Sequence, residues 1–167
     1  MTGIGAVPGA ESPLFNPNGN MTRGMLVTAL YRIEGAPDVT GTQNIFTDVA
    51  ENMWYADALK WAYANGIVLG YGNNLFGPED PITFEQLATI FARYAGYIDV
   101  TPPELREYAG FDDDADIANY AKNAVELLYK AKIIEGKPGN VITPKENATR
   151  AEVAALLRRF MEMADLN

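Results

Sequence analysis

Two arginines stand directly behind threonines that open helical patterns, at Thr22-Arg23 and Thr149-Arg150. A threonine in that place caps a helix. The backbone N–H groups of a first turn lack intrahelical acceptors and carry the positive end of the helix dipole. A guanidinium beside them adds a planar fork that fits a carboxylate. The net charge is −9, from 13 Lys and Arg against 22 Asp and Glu, so attraction of an anion has to be local. Read from these residues alone, a surface arginine paired with a neighbouring carboxylate is the plainer account.

Other chemistries are narrowed by what is missing. The chain of 167 residues has no cysteine and no histidine, and its one serine is Ser12. Thiol catalysis, a Ser-His-Asp triad and the commonest transition-metal ligand are therefore absent. A two-carboxylate glycosidase remains conceivable, but nothing singles out two acidic residues that would converge. Asp112-Asp113-Asp114-Ala115-Asp116 starts like a calcium loop, then has Ile117 where glycine is needed and Asn123 where glutamate is needed. It reads as a solvated loop ahead of a helix. The expectation is a chain without catalytic residues, metal or cofactor. The acidic balance argues against nucleic acid, and no apolar run is long enough for membrane insertion. Met1-Thr2-Gly3 does not start a signal peptide, so an export signal would belong to a longer parent chain.

The elements that position the two arginines recur. From Phe46-Thr47-Asp48-Val49 the chain passes through Trp54 into a helical pattern with Ala58, Leu59 and Ala62 on one face. Gly66 ends that pattern, Ile67 to Gly70 exit from it, and a loop runs through Tyr71-Gly72 to Phe76-Gly77-Pro78. Thr83 then caps a helix with Gln86 as its capping-box partner. Leu87, Ile90, Phe91 and Tyr94 form its stripe, and Gly96 is expected to end it. About one repeat later Phe111-Asp112-Asp113-Asp114, Tyr120, Ile133 to Gly136, Ile142-Thr143-Pro144 and Thr149 to Glu152 follow the same order, with Val153, Leu156, Leu157 and Phe160 as the stripe. The N-terminal region holds a back half alone. Gly3 aligns with Gly70, and Thr22 opens a helix striped by Leu26, Ala29, Leu30 and Ile33. The copies are expected at 1–37, 46–97 and 111–163, together one compact domain, with linkers at 36–45 and 98–110. The leading helix of the first copy is expected before Met1, or a second copy of the chain is expected to fill its place.

This order resembles the S-layer homology repeat of bacterial surface proteins. The marks are Phe46-Thr47-Asp48-Val49, Trp54, Gly66-Ile67, Gly70-Tyr71-Gly72, Phe76-x-Pro78 and Thr149-Arg150-Ala151-Glu152. The resemblance implies a mostly α-helical, pseudo-threefold prism with one helix of each repeat in a central bundle, the first repeat being incomplete. It implies inter-repeat grooves that bind secondary cell-wall polysaccharide, often pyruvylated, and an extracellular, wall-associated place. Arg23 and Arg150 would then hold the sugar acid, with Trp54, Asp48, Gly70 and Tyr71 as further contacts. Each has a plainer role too: Trp54 as a packing anchor, Asp48 as a cap for the coming helix, the glycines as turn residues. Phe84 departs from the arginine of the Thr-Arg-Ala-Glu run, Met25 from its glutamate, and Tyr120 from the tryptophan. At least one groove is therefore expected to be defective. The rival readings are a protein-binding helical repeat and the anchor fragment of a glycan-active surface enzyme.

Overall fold

The computed structural model describes residues 16–165; Gly3 and Ser12 lie outside them. Among the described residues there are five α-helices and no β-strand: α1 (Arg23–Ile33), α2 (Ala56–Ala64), α3 (Phe84–Tyr97), α4 (Lys122–Lys130) and α5 (Arg150–Ala164). The chain is mostly α-helical, as the periodicity predicts. Two single 3-10 turns, Asp114–Asp116 and Asn119–Ala121, lead into α4.

The chain divides into two compact units, Met1–Pro81 and Ile82–Asn167. The division falls inside the second expected copy, just before its capped helix. Each unit therefore joins the capped helix of one copy to the front half of the next.

In the first unit α1 packs on α2. Leu26, Val27 and Leu30 of α1 and Leu59 and Ala62 of α2 are fully enclosed, and the Tyr31 and Trp61 rings meet at 5.6 Å. Trp61 is thus core. Ile33, the last residue of the α1 stripe, is only half-buried. In the second unit α3 packs on α4 and on the turn before it. The stripes of α3 and α5 are buried throughout, and Phe160 lies 5.4 Å from Phe91 and 5.5 Å from Tyr94. Full burial of one such side chain contributes about 2 kcal/mol, against about 1 kcal/mol for a cap. The stripes hold the helices, and the caps decide where they start.

All three capped helices begin where the threonines place them. Thr22, Thr83 and Thr149 each accept the backbone N–H three residues on, and each receives a reciprocal contact from that residue's side chain. In α1 the reciprocal partner is the Met25 sulfur, 3.4 Å from the Thr22 nitrogen, so the missing glutamate is replaced in kind. One terminus differs from expectation. Gly96 lies inside α3, which runs to Tyr97, and the left-handed residue that turns the chain is Asp99 at φ 57°.

Gly70 and Gly136 serve one purpose in the two copies. A Cβ on Gly70 would come within 2.8 Å of Phe46, and one on Gly136 within 2.7 Å of Phe111. The absent side chain lets the aromatic residue of the Phe-x-Asp run close over the exit from the helix.

Candidate functional site

The tip of α1 is built against the loop that follows α2. Gly24 donates its N–H to the Pro78 carbonyl and Arg23 donates to the Asp80 carbonyl, both at 2.9 Å, while Met25 donates to Thr22 Oγ1 at 3.1 Å. An isolated antiparallel bridge between Thr22 and Pro81 closes the joint. The open first-turn amides expected from the sequence are therefore already satisfied, because buried N–H groups require partners. The positive end of the helix dipole remains at the tip, beside the Arg23 guanidinium.

Arg23 is only 5% exposed. Its Nε donates to the Phe76 carbonyl at 3.0 Å. Its guanidinium carbon lies 4.4 Å from the centre of the Tyr71 ring and 4.5 Å from that of Phe76. The plane of the cation is thereby fixed by two π-faces. Tyr71 is half exposed, and its hydroxyl donates to Asp80 Oδ2 at 3.0 Å.

Asp48 takes the other side of the same peptide. Its carboxylate accepts the Phe76 N–H at 2.9 Å and the Gly77 N–H at 2.7 Å. It binds a loop nearly thirty residues away, and its side chain does not cap α2, whose N-cap is Tyr55 without a side-chain bond. Gly70, at φ 84°, makes the turn into Tyr71. Arg23, Asp48, Gly70 and Tyr71 thus meet around residues 70–80. Trp54 stands in the turn ahead of α2, half-buried and edge-on to Tyr55 at 4.9 Å. Tyr55 is the link to the α1 tip: a Cβ on Gly24 would sit 3.3 Å from its ring. Burial, followed by the neighbouring Glu79, raises the Tyr55 hydroxyl above its usual value.

A guanidinium clamped between rings, an exposed tyrosine face and the carboxylates of Asp48 and Asp80 form a surface able to stack on a pyranose and hydrogen-bond its hydroxyls. Phe76, Tyr55 and Asp80 were not singled out from the sequence as site residues. The Phe76-x-Pro78 spacing was their signal, since it fixes which carbonyls meet the helix tip.

The second unit repeats the joint with other side chains. Phe84 donates its N–H to the Glu146 carbonyl and Glu85 to the Pro144 carbonyl, both at 3.0 Å, and Thr83 bridges Asn147. Asp113 accepts from the Ile142 and Thr143 N–H groups at 2.9 and 2.8 Å, the counterpart of Asp48. Its neighbours diverge: Asp112 accepts from Asn140 and Asp114 from Tyr108. Three aspartates of the run thus hold partners, while Asp112 and Asp116 stay exposed in a loop that leads into α4. Arg150 opens α5, half-buried, with a buried Nε that has no hydrogen-bond partner.

Comparison with known proteins places these features. The S-layer homology domain matches at residues 45–88 and 110–154. An amylopullulanase of Thermoanaerobacterium thermosulfurigenes is 35% identical over 93% of this chain and 8% of its own length. Exoglucanase XynX of Acetivibrio thermocellus is 33% identical over 95% of this chain and 14% of its own. A cell surface protein of Thermoanaerobacter kivui is 30% identical over 73% of this chain and 16% of its own. The chain thus spans a small fraction of the relatives it matches. The match covers more than half of the chain and both repeats of the joint, and the chain belongs to the S-layer homology domain family.

Proposed function

We propose that this chain is a binding module that anchors a surface protein to the bacterial cell wall by holding secondary cell-wall polysaccharide, its acidic sugar being gripped at the α1 tip. The observation that carries this reading is Arg23, a buried cation held flat between Tyr71 and Phe76. A guanidinium with its plane fixed in this way has the fork geometry that suits a carboxylate. Tyr71 supplies a stacking face, and Trp54 and Asp48 stand on the same unit. Arg150 is the second proposed contact, through its unsatisfied Nε. Relatives with different enzyme names share this one stretch. That pattern fits an accessory module and not a catalytic site, and it supports an extracellular, wall-associated place for the chain.

The test is retention on purified wall sacculi. The chain is expected to sediment with sacculi that carry pyruvylated polysaccharide and to stay in solution after acid removal of the pyruvate. Arg23→Ala is expected to weaken retention at least tenfold. Equal retention with and without pyruvate would end the acidic-sugar reading, and equal retention after removal of the whole polysaccharide would end the anchoring reading.

A further inference from the structure

One aromatic pair recurs at the exit from the first helix of each complete copy. Phe46 meets Tyr63 edge-on at 5.4 Å, and Phe111 meets Tyr129 edge-on at 5.3 Å. Tyr63 and Tyr129 hold corresponding places near the ends of α2 and α4. What covers the two pairs differs.

In the second unit the linker lies over the pair. Leu105 donates its N–H to the Lys130 carbonyl at 2.9 Å. The Arg106 guanidinium carbon stands 3.7 Å from the centre of the Tyr129 ring. Its nitrogens donate to the Tyr129 and Ile134 carbonyls, both at 2.7 Å, and to Glu135 at 2.9 Å. The cation is thus stacked on a ring and laid across the C-terminal end of α4, where the helix dipole favours positive charge. Tyr108 adds a second ring, 5.5 Å from Tyr129.

In the first unit that cover is missing. Counted back from Phe46 and Phe111, Gly41 stands in the place of Arg106 and Gln43 in that of Tyr108. A Cβ on Gly41 would meet nothing within 4 Å, and Gln43 is exposed. Tyr63 is 37% exposed, and Leu69, in the place of Glu135, is 58% exposed. The last turn of α2 holds no basic residue, whereas that of α4 holds Lys130. The end of α2 is therefore a bare ring beside a bare leucine, at the negative end of a helix.

We propose that this face of the first unit is a docking surface for an extended protein segment that presents an arginine, seated on Tyr63 as Arg106 is seated on Tyr129. The net charge of −9 favours such a cationic partner. Leu69 offers an apolar contact to the arginine stem where Glu135 offers an ion pair. The segment comes from outside this sequence. Residues 1–15 and 166–167 carry no arginine or lysine, and Arg106 of a second copy is engaged on its own Tyr129 by three hydrogen bonds. Neither Arg23 nor Arg150 takes part, so the surface stands apart from the wall-binding reading.

The probe is a peptide with the sequence of residues 101–110, acetylated and amidated, titrated into the whole chain and followed by amide-resolved NMR. The Ala64, Gly66, Leu69 and Gly70 amides are expected to shift saturably at roughly millimolar peptide. A peptide with Arg106→Lys is expected to bind about tenfold more weakly, since lysine brings no stacking plane. Tyr63→Phe, which keeps the ring face, is expected to bind as the unaltered chain does, and Tyr63→Leu about tenfold more weakly. Equal affinity for the two peptides overturns the proposal, as does equal affinity in Tyr63→Leu. So do an absence of saturable shifts at those amides and shifts confined to residues 129–136. Shifts of the same amides on dilution of the chain alone would make a second copy the occupant, and would overturn it too. Should Tyr63→Leu not fold, the two peptides on the unaltered chain still decide.

Discussion

The side chain of Arg23 is held twice by Phe76: its Nε donates to the Phe76 carbonyl at 3.0 Å, and its guanidinium carbon lies 4.5 Å from the centre of the Phe76 ring. One residue thereby fixes both the position and the plane of the cation. Lysine offers a point charge with neither a fork nor a stacking plane. Arg23→Lys is therefore expected to lose about 1–2 kcal/mol of stability, and Arg23→Ala about 2–4 kcal/mol. Urea denaturation measures both. Wall retention is expected to fall in Arg23→Lys although its charge is kept, and unchanged retention there would show that charge alone suffices.

Asp48 and Asp113 perform one task in two places, each holding two loop amides. Asparagine keeps one acceptor oxygen and loses the charge. Asp48→Asn and Asp113→Asn are each expected to cost about 1 kcal/mol, and the double variant close to the sum, because the two sites share no partner. An Asp48→Asn chain that melts normally yet leaves the wall would assign Asp48 to sugar contact and not to the loop.

What the sequence discloses and what it hides divide along the range of the contacts. Thr22, Thr83 and Thr149 are visible as helix starts because a cap and its partner are three residues apart. The stripes are visible because period and burial coincide. The closure of the first-turn amides by residues 78–80 and 144–146 is not, since those carbonyls arrive from over fifty residues away. Glu85 is hidden for the same reason. It reads as an ordinary acidic first-turn residue, favourable to the dipole, and its partners Ala118, Tyr120 and Lys145 lie over thirty residues away in the chain. Met25 misleads in the other direction, because its sulfur does the work expected of a carboxylate. Gly96 looks like a terminator, yet its φ stays helical and the turn falls to Asp99. Of the candidate site residues, Arg23, Asp48, Gly70 and Tyr71 are legible as a group through the repeat marks, whereas Phe76 and Tyr55, which connect them, look like core.

Gly77 and Thr143 hold corresponding places in the two loops, at φ 70° and φ 48°. The left-handed region is strained for a β-branched residue. Thr143→Gly is expected to raise stability by about 1 kcal/mol through relief of that strain, set against the loss of the Lys137 contact to its hydroxyl. The reverse change is not symmetrical. A Cβ on Gly77 would run into the Tyr71 ring and Asp80 Oδ2. Gly77→Thr is therefore expected to lower stability by about 2 kcal/mol or more and to displace Tyr71 from Arg23. Thermal melts of the two variants, expected to move in opposite directions, check the asymmetry.

Alkaline pH probes the joint between the linker and the third copy. Tyr108 donates to Asp114 Oδ1 at 2.6 Å, and its ring packs edge-on to Phe111 and Tyr129. Burial first, then the bond to Asp114, raises the phenol well above its usual value of 10.0. In the unfolded chain the phenol ionises near that usual value, while in the folded chain it stays protonated. The folded state binds more protons above that pH, so stability falls as pH rises through the alkaline range. Tyr31 and Tyr55, raised by burial, and Lys60 and Lys130, raised by bonds to Glu51 and Glu126, act with the same sign. The total slope therefore belongs to several groups, and the difference between the chain and Tyr108→Phe isolates one. That variant is expected to be less stable at pH 8, where it lacks the bond to Asp114, and to lose less stability between pH 9 and 11. Urea midpoints across that range measure it: parallel curves would show that the Tyr108 hydroxyl ionises as freely in the folded chain as in the unfolded one.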